Sequence, residues 1–215
     1  MIIKAGIIGT HGTFKSTLAN SSGCALKEEK AEVYIIQEIA RKCPYELNGV
    51  DIRAQKWIVS RQYLKELDEY KRFEDTEERT KKKSSKDMPR IILCDRTTLD
   101  AYIYTQEMCQ RQNIEMPQWI PELVSDNMPS YDFIFLTQIM PTGIDDDDVR
   151  SVDPEYQKTI DQLLNKYLRK KEIKYYELDY SSIAAIEKPT NTDIKKLREV
   201  QVQHMVEIIT KKWKK

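Results

Sequence analysis

The chain has 215 residues, of which 40% are hydrophobic and 33% are charged, a balance typical of a globular protein rather than a disordered one. Its 35 basic and 35 acidic residues cancel, so the overall charge gives no reason to expect a nucleic acid or an anionic membrane as a partner. The sequence lacks a stretch of the roughly 18 apolar residues that a membrane span needs, and the segment before the first motif is too short for a signal sequence. We therefore expect one cytoplasmic domain over residues 1–215.

The chain has four cysteines, spaced far apart, and only two histidines. Without a Cys-x-x-Cys pair or histidines at ligand spacing, a structural zinc site is not expected. Cys24 occurs in a helical stretch and Cys94 in an apolar run, where reduced and buried thiols are ordinary.

Short apolar runs alternate with stretches of helical periodicity, which predicts an α/β fold with a mostly parallel sheet covered on both faces. The predicted strands are residues 2–8, 32–37, 91–94, 133–137 and 173–178. The predicted helices are residues 15–27, 51–73, 98–113, 117–128, 154–171 and 192–212. The polar segment 74–87 has no apolar residue, and we interpret it as a solvated helix end or loop; a basic lid or docking segment around residues 81–86 is the alternative.

The strongest motif is Gly9-Thr10-His11-Gly12-Thr13-Phe14-Lys15-Ser16-Thr17, which follows the first predicted strand and opens the first predicted helix. Such a loop combines a nest of backbone N–H groups with a helix N-terminus, and both attract phosphate oxygens. We expect Lys15 to contact the β- and γ-phosphates of a nucleoside triphosphate and the Ser16 hydroxyl to ligate Mg²⁺. Gly9 and Gly12 are expected to adopt backbone conformations that other residues avoid.

Phe14 stands directly before the lysine, where such loops usually have glycine. Phenylalanine keeps its backbone N–H group, so this hydrogen-bond donor is retained. Two questions follow: whether the backbone there tolerates a Cβ atom, and whether the ring finds room. The sequence leaves open a degenerate loop with weakened nucleotide affinity.

Charged side chains follow two further predicted strands, at the sheet edge where open α/β folds bind ligands. Asp95 is expected to organise Mg²⁺ and its waters, and Arg96 to contact a phosphate or a carboxylate; a structural ion pair is an equally good interpretation. Glu38 can accept a proton from an attacking hydroxyl or hold that hydroxyl in line. It can equally complement a helix dipole, and the sequence does not decide between these roles.

An aspartate-rich segment follows the fourth strand and predicts a lid at about residues 140–155. We interpret Asp145–Asp147 as a solvated loop, whereas Arg150 can close over a transferring phosphate. Asp153 and Pro154 predict the N-cap and the first residue of the next helix.

The predicted helix 51–73 is expected to pack near the crevice. Gln55, Trp57 and Gln62 can therefore line an acceptor pocket, in which an aromatic ring and an amide would hold a base. Aromatic residues at helical spacing more often belong to the hydrophobic core, and that interpretation also applies to Trp57.

These motifs, in this order, resemble those of the P-loop kinase group that includes nicotinamide riboside kinase domains, deoxynucleoside kinases and thymidylate kinases. They are most similar to an AAA-type ATPase family of nucleotide kinases. The resemblance rests on the loop and on four elements of the chain: Glu-x-Ala-Arg at 38–41, Ala-Gln-x-Trp-Ile at 54–58, Asp-Arg-Thr-x-Leu-Asp at 95–100, and Val-Arg-Ser-x-Asp-Pro-Glu-Tyr at 149–156. It extends from residue 1 to about residue 180.

The resemblance implies a three-layer P-loop NTPase fold with a five-stranded parallel sheet in the order 2-3-1-4-5, a helical lid and a C-terminal helix at about 192–213. It implies a phosphotransferase that uses ATP and Mg²⁺, with ATP on residues 9–17 and the adenine near residues 179–182. Mg²⁺ would bind near Ser16 and Asp95. A nucleoside, a nucleotide or a similar small acceptor would bind near Glu38, Arg41 and Arg96, with Arg150 in the lid. A homodimer is compatible with the sequence.

Two other functions stay open at the sequence level. Phe14 motivates a regulatory nucleotide-binding switch, and a filled rather than open pocket beside Glu38, Arg41 and Arg96 would favour it. A polynucleotide 5′-kinase would need a basic groove leading to Glu38, and the balanced charge argues mildly against it. The latter half lacks an Asn-Lys-x-Asp element, which favours ATP over GTP.

Overall fold

The computed structural model describes residues 1–47, 51–81, 88–140, 153–184, 186 and 189–214. At its centre is a five-stranded parallel sheet in the order β2-β3-β1-β4-β5, which confirms the predicted order. The strands are β1 (Ile2–Ile8), β2 (Glu32–Ile36), β3 (Arg90–Asp95), β4 (Phe133–Leu136) and β5 (Tyr176–Glu177).

Helices cover both faces of this sheet. They are α1 (Lys15–Glu28), α2 (Ile52–Lys81), α3 (Thr98–Gln112), α4 (Trp119–Asn127), α5 (Pro154–Lys170), α6 (Ser181–Ala184) and α7 (Asn191–Thr210). Two short 3₁₀ helices, Ile39–Lys42 and Met128–Ser130, precede α2 and β4. Among the described helices, none is both long and apolar enough to cross a membrane.

The central strands are buried on both sides, which explains their nearly continuous apolar sequences. Side chains alternate between the faces of a strand. On β3, Ile91 and Leu93 therefore pack with α1 and α7, whereas Ile92 and Cys94 pack with α2, α3, α4 and α5. The three predicted layers are thus helix, sheet and helix.

The structure corrects several predicted boundaries. Helix α2 continues to Lys81, past the predicted end at residue 73, because ion pairs such as Lys71–Asp75 at 3.1 Å stabilise its polar last turns. Strand β5 has two residues rather than six.

Cys24 is exposed and Cys94 is buried, so the prediction of a buried thiol is wrong for Cys24. The predicted N-cap Asp153 is confirmed, since its carboxylate accepts the backbone N–H of Glu155 at 2.9 Å.

A buried charge network connects α2 with the carboxyl end of β3. The carboxylate of Glu66, which is 1% exposed, pairs with Lys4 at 2.5 Å. It also accepts hydrogen bonds from Asn127 at 2.8 Å and from Gln62 at 2.7 Å. The same Gln62 amide nitrogen donates to the backbone carbonyl of Arg96 at 3.3 Å. The network thereby fixes the backbone carbonyl group of Arg96 against α2.

Candidate functional site

The loop between β1 and α1 has the backbone conformation that its glycines predict. Gly9 has φ 146° and Gly12 has φ 71°, values that favour glycine. A Cβ atom on Gly9 would lie 2.1 Å from Thr137 Oγ1, so no larger residue fits. The backbone N–H of Gly9 donates to Asp100 Oδ1 at 3.1 Å, which fixes the start of the loop against α3.

Lys15 is buried and its ammonium group points back into the loop. It donates hydrogen bonds to the carbonyl oxygen of Thr10 and to Thr13 Oγ1, the latter at 3.0 Å. Burial, followed by the positive charge of Arg96, lowers the pKa of Lys15 from 10.5 to about 7. Ser16 is half-buried on the first turn of α1 and Thr17 is exposed.

Phe14 answers both questions that the sequence raises. It has φ 58° and ψ 20° and forms the N-cap position of α1, so it adopts the left-handed conformation that glycine prefers. Its ring packs against the cluster of Met140, Ile183 and Leu197. The guanidinium group of Arg198 lies 4.7 Å from the ring centroid. The ring therefore has its own packing site, and the backbone carries the strain.

Two helices hold the outer half of the loop, by which we mean Thr10, His11 and Gly12. From α3, the hydroxyl group of Tyr104 accepts the backbone N–H of His11 at 3.0 Å. From α5, Gln157 Nε2 donates to the carbonyl oxygen of His11 at 2.7 Å. Thr10 Oγ1 donates to the backbone carbonyl of Gln157 at 3.3 Å. Both backbone polar groups of His11 are thus engaged by residues from outside the loop.

Glu38 lies beyond the end of β2, where its buried carboxylate bridges two arginines. Arg96 Nε donates to one oxygen at 2.6 Å, and Arg41 Nε donates to the other at 3.0 Å. Burial lowers the pKa of Arg96, but the charge of Glu38 raises it, and the net pKa lies well above its usual range. The side chain of Glu38 makes no capping hydrogen bond to the 3₁₀ helix that follows it. The ion pairs, rather than a helix cap, account for its position.

Asp95 ends β3 with a carboxylate that fits a hydrated cation. The residue is 1% exposed, and neither carboxylate oxygen has a hydrogen-bond partner within the described part of the chain. Its negative charge raises the pKa of Lys15, although less than burial lowers it. Buried carboxylate oxygens are normally satisfied. Waters around Mg²⁺ would satisfy these oxygens, so the residues present fit that ion. A cluster of three or more acidic, cysteine or histidine ligands is absent from the described residues.

A pocket of about 930 Å³ opens beside the Glu38–Arg96 pair. Six residues that the sequence singles out line it: His11, Glu38, Arg41, Gln55, Gln62 and Arg96. The amide nitrogen of Gln62 already donates hydrogen bonds to Glu66 and to the Arg96 carbonyl oxygen. Gln62 therefore has a mainly structural role in the pocket wall. Trp57 is not among the lining residues and packs instead with Ala101 and Ile120. Arg150 and most of the predicted lid lie outside the described residues.

Several residues of the site have no site role predicted from the sequence. Asp100 and Tyr156 line the pocket and belong to the motifs at 95–100 and 149–156 on which the resemblance rests. Tyr104 and Arg111 also line the pocket, and Gln157 holds the loop. A signal existed for Asp100, because Thr97 and Asp100 form a capping box that starts α3. Tyr104 occurs at helical spacing among apolar residues, so the pattern does not distinguish it from core aromatics.

The strand order 2-3-1-4-5, together with a glycine loop that ends in Lys-Ser before a helix, defines a kinase-type P-loop NTPase fold. The chain belongs to the AAA domain family, whose model matches residues 4–185. No curated protein matches the sequence.

Solved structures share this fold at low sequence identity. A deoxyadenosine kinase from M. mycoides with the products dCMP and a flexible dCDP bound has a TM-score of 0.59 and 15% identity, over 97% of this chain and 100% of that chain. The structure of deoxyadenosine kinase from M. mycoides with bound dATP has a TM-score of 0.55 and 16% identity, over 99% and 100%. NadR in complex with NR has a TM-score of 0.56 and 12% identity, over 92% of this chain and 50% of NadR.

Proposed function

We propose that the protein is a cytoplasmic kinase that transfers the γ-phosphate of ATP to a nucleoside, a nucleotide or a similar small metabolite. The open pocket beside Glu38 and Arg96 carries this proposal. A protein that only binds a nucleotide needs no open cavity lined by Glu38, Arg41 and Arg96. The pocket volume of about 930 Å³ falls in the range of small-molecule sites, which is about 300–1,000 Å³.

In the proposed reaction the loop holds the triphosphate, and its backbone N–H groups and Lys15 contact the phosphate oxygens. Ser16 and Asp95 would hold Mg²⁺, directly and through water, and the ion would neutralise charge on the phosphates. The acceptor hydroxyl would donate its hydrogen bond to Glu38, which orients it for in-line attack. Arg96 would contact the transferring group, and we extend this role to Arg150 from the sequence alone.

The paired charges explain why Glu38 can act in this way. Each carboxylate oxygen accepts a hydrogen bond from one arginine and has a further lone pair for the hydrogen bond of an acceptor hydroxyl. The same pairing holds Arg96 in the lining of the pocket. Positioning and charge stabilisation supply most of the catalysis of phosphoryl transfer. The structural neighbours named as a deoxyadenosine kinase and as NadR bound to NR support a nucleoside-like acceptor.

A panel of nucleosides, nucleoside monophosphates and nicotinamide riboside, each supplied with ATP and Mg²⁺, tests this proposal through the rate of ADP release. We expect acceptor-dependent release that Lys15→Ala abolishes, while Lys158→Ala, an exposed lysine on α5, retains it. ADP release that no acceptor accelerates would refute the kinase proposal and favour a nucleotide-dependent switch. Phosphorylation of an oligonucleotide 5′ end, but of no small molecule, would favour a polynucleotide kinase instead.

A further inference from the structure

Tyr104 contacts the phosphate loop and the acceptor side of the site at once. Its hydroxyl group accepts the backbone N–H of His11 at 3.0 Å and lies 2.9 Å from His11 Nδ1. The guanidinium group of Arg96 lies 5.4 Å from the centroid of its ring. His11, Tyr104 and Arg96 all line the pocket. One side chain on α3 therefore joins the loop to the arginine that pairs with Glu38.

The Tyr104 hydroxyl group bonds to both the backbone and the ring of His11. Its oxygen accepts the backbone N–H of His11, and it bonds to the imidazole Nδ1 as donor or acceptor according to the tautomer of the ring. Thr10 Oγ1 lies 3.3 Å from the same Nδ1, but its hydrogen is directed to the carbonyl oxygen of Gln157. The Tyr104 hydroxyl group thus orients both the backbone and the ring of His11.

The orientation of His11 matters for the residues that follow it. A peptide plane is rigid, so the bond to the His11 N–H fixes the plane between Thr10 and His11, and the bond to the His11 carbonyl oxygen fixes the plane that carries the N–H of Gly12. The N–H of Gly12 is one of the loop donors that a phosphate would use. Tyr104 fixes the N–H side and Gln157 fixes the carbonyl side. Loss of the Tyr104 hydroxyl group removes the hydrogen bond to the N–H of His11 and leaves the one from Gln157 to its carbonyl oxygen.

We propose that Tyr104 is a positioning residue that holds the outer half of the phosphate loop in its phosphate-binding conformation and ties that loop to Arg96. The first role belongs to the hydroxyl group and the second to the aromatic ring. The role of Arg96 toward an acceptor rests on the proposed kinase function, whereas the effect on the loop does not. The two parts of the side chain can therefore be removed separately.

Tyr104→Phe removes the hydroxyl group and keeps the ring beneath Arg96. The variant loses both hydrogen bonds of the hydroxyl group to His11, and the loss of the one to the backbone N–H predicts an affinity for Mg²⁺-ADP that is about three- to tenfold weaker in titration calorimetry. It also predicts faster hydrogen exchange at the backbone N–H of His11, with unchanged exchange at Arg96 Nε–H. Tyr104→Leu should accelerate exchange at both groups. Tyr102→Phe, on the same helix with its ring against Tyr167 at 5.2 Å, is the matched control and should change neither.

Wild-type ADP affinity and His11 exchange in Tyr104→Phe would overturn the positioning role. Weaker ADP binding with wild-type exchange at His11 would also overturn it, because the loss would then not pass through the loop. Wild-type exchange at Arg96 Nε–H in Tyr104→Leu would overturn the tie to Arg96. These outcomes need no acceptor. A panel in which no acceptor is phosphorylated would refute the kinase function and leave this test intact.

Discussion

Phe14 offers a direct measurement of backbone strain inside the phosphate loop. The residue has φ 58°, where a Cβ atom approaches the following carbonyl oxygen. Replacement by alanine removes the ring but keeps the Cβ atom and its strain. Replacement by glycine removes both. The comparison of Phe14→Ala with Phe14→Gly therefore isolates the strain, since the two variants lose the same ring contacts.

The expected magnitudes follow from the contacts of the ring. A left-handed conformation costs a non-glycine residue about 1–2 kcal/mol, so Phe14→Ala should be less stable than Phe14→Gly by about that amount. The ring is partly buried against Met140, Ile183 and Leu197, and burial of this kind stabilises by roughly 1–2 kcal/mol. The contact with Arg198 adds about 0.5–1 kcal/mol. In Phe14→Gly the lost contacts and the relieved strain nearly cancel, so its stability should stay within about 1 kcal/mol of wild type.

Urea unfolding, followed by circular dichroism, measures these free energies if the slope with denaturant is unchanged. Equal stability of the alanine and glycine variants, within about 0.3 kcal/mol, would refute a strained conformation at Phe14. A double-mutant cycle that combines Phe14→Ala with Arg198→Met tests the contact between the ring and the guanidinium group separately. The cycle should give a coupling free energy of about 0.5–1 kcal/mol, and zero coupling would remove the cation–π contribution.

Two further predictions concern charge in the interior. Because a bound phosphate favours the ammonium form of Lys15, whose pKa in the free protein is about 7, affinity for Mg²⁺-ADP should be full below that pH. It should weaken above pH 7 by up to about tenfold per pH unit. Lys15→Arg, which stays charged, should show a flat calorimetric profile, and a matching slope in both proteins would exclude Lys15 as the titrating group. Glu66→Gln removes the only carboxylate paired with the buried Lys4 ammonium among the described residues, and leaves it the neutral partners Asn127 and Ser130. The change should cost about 3–5 kcal/mol in urea unfolding, against less than about 0.5 kcal/mol for the exposed Glu78→Gln. A loss below about 1 kcal/mol would mean that Lys4 finds another partner.

The sheet could be predicted from the sequence because its central strands are buried on both faces. The apolar runs of β1 and β3 have the short length typical of buried parallel strands, and β1 ends beside a glycine loop. The edge strand β5 shows the limit of this reasoning. The apolar pattern at residues 173–178 predicts a six-residue strand, but only Tyr176 and Glu177 pair with β4. Pairing depends on the neighbouring strand, and β4 has only four residues.

The candidate site divides in the same way. Glu38 and Arg96 could be proposed as site residues because they lie just beyond the ends of strands, and parallel strands bring their carboxyl ends together. Lys15 could be proposed because it ends the glycine loop that follows β1. Tyr104 and Gln157 could not be identified, because they lie inside helices and reach the loop only through the packing of α3 and α5. Their periodicity is that of ordinary helix residues. The end of a predicted strand places a residue at a known edge of the sheet, whereas helical periodicity shows only on which face of its helix a residue lies.

Residues that follow strands and residues inside helices both contact the phosphate loop, and both bear on whether Phe14 weakens that loop. The loop keeps its lysine, its serine and all of its backbone donors, and Phe14 is held in the conformation of the usual glycine by a packing site of its own. A weakened loop would follow if the ring displaced Lys15 or the glycines, yet Gly9 and Gly12 retain their special conformations. The ring packs with Met140, Ile183 and Leu197, and Lys15 still donates hydrogen bonds into the loop. The choice between a kinase and a switch therefore depends on the pocket beside Glu38 and on the residues that tie it to the loop, not on Phe14.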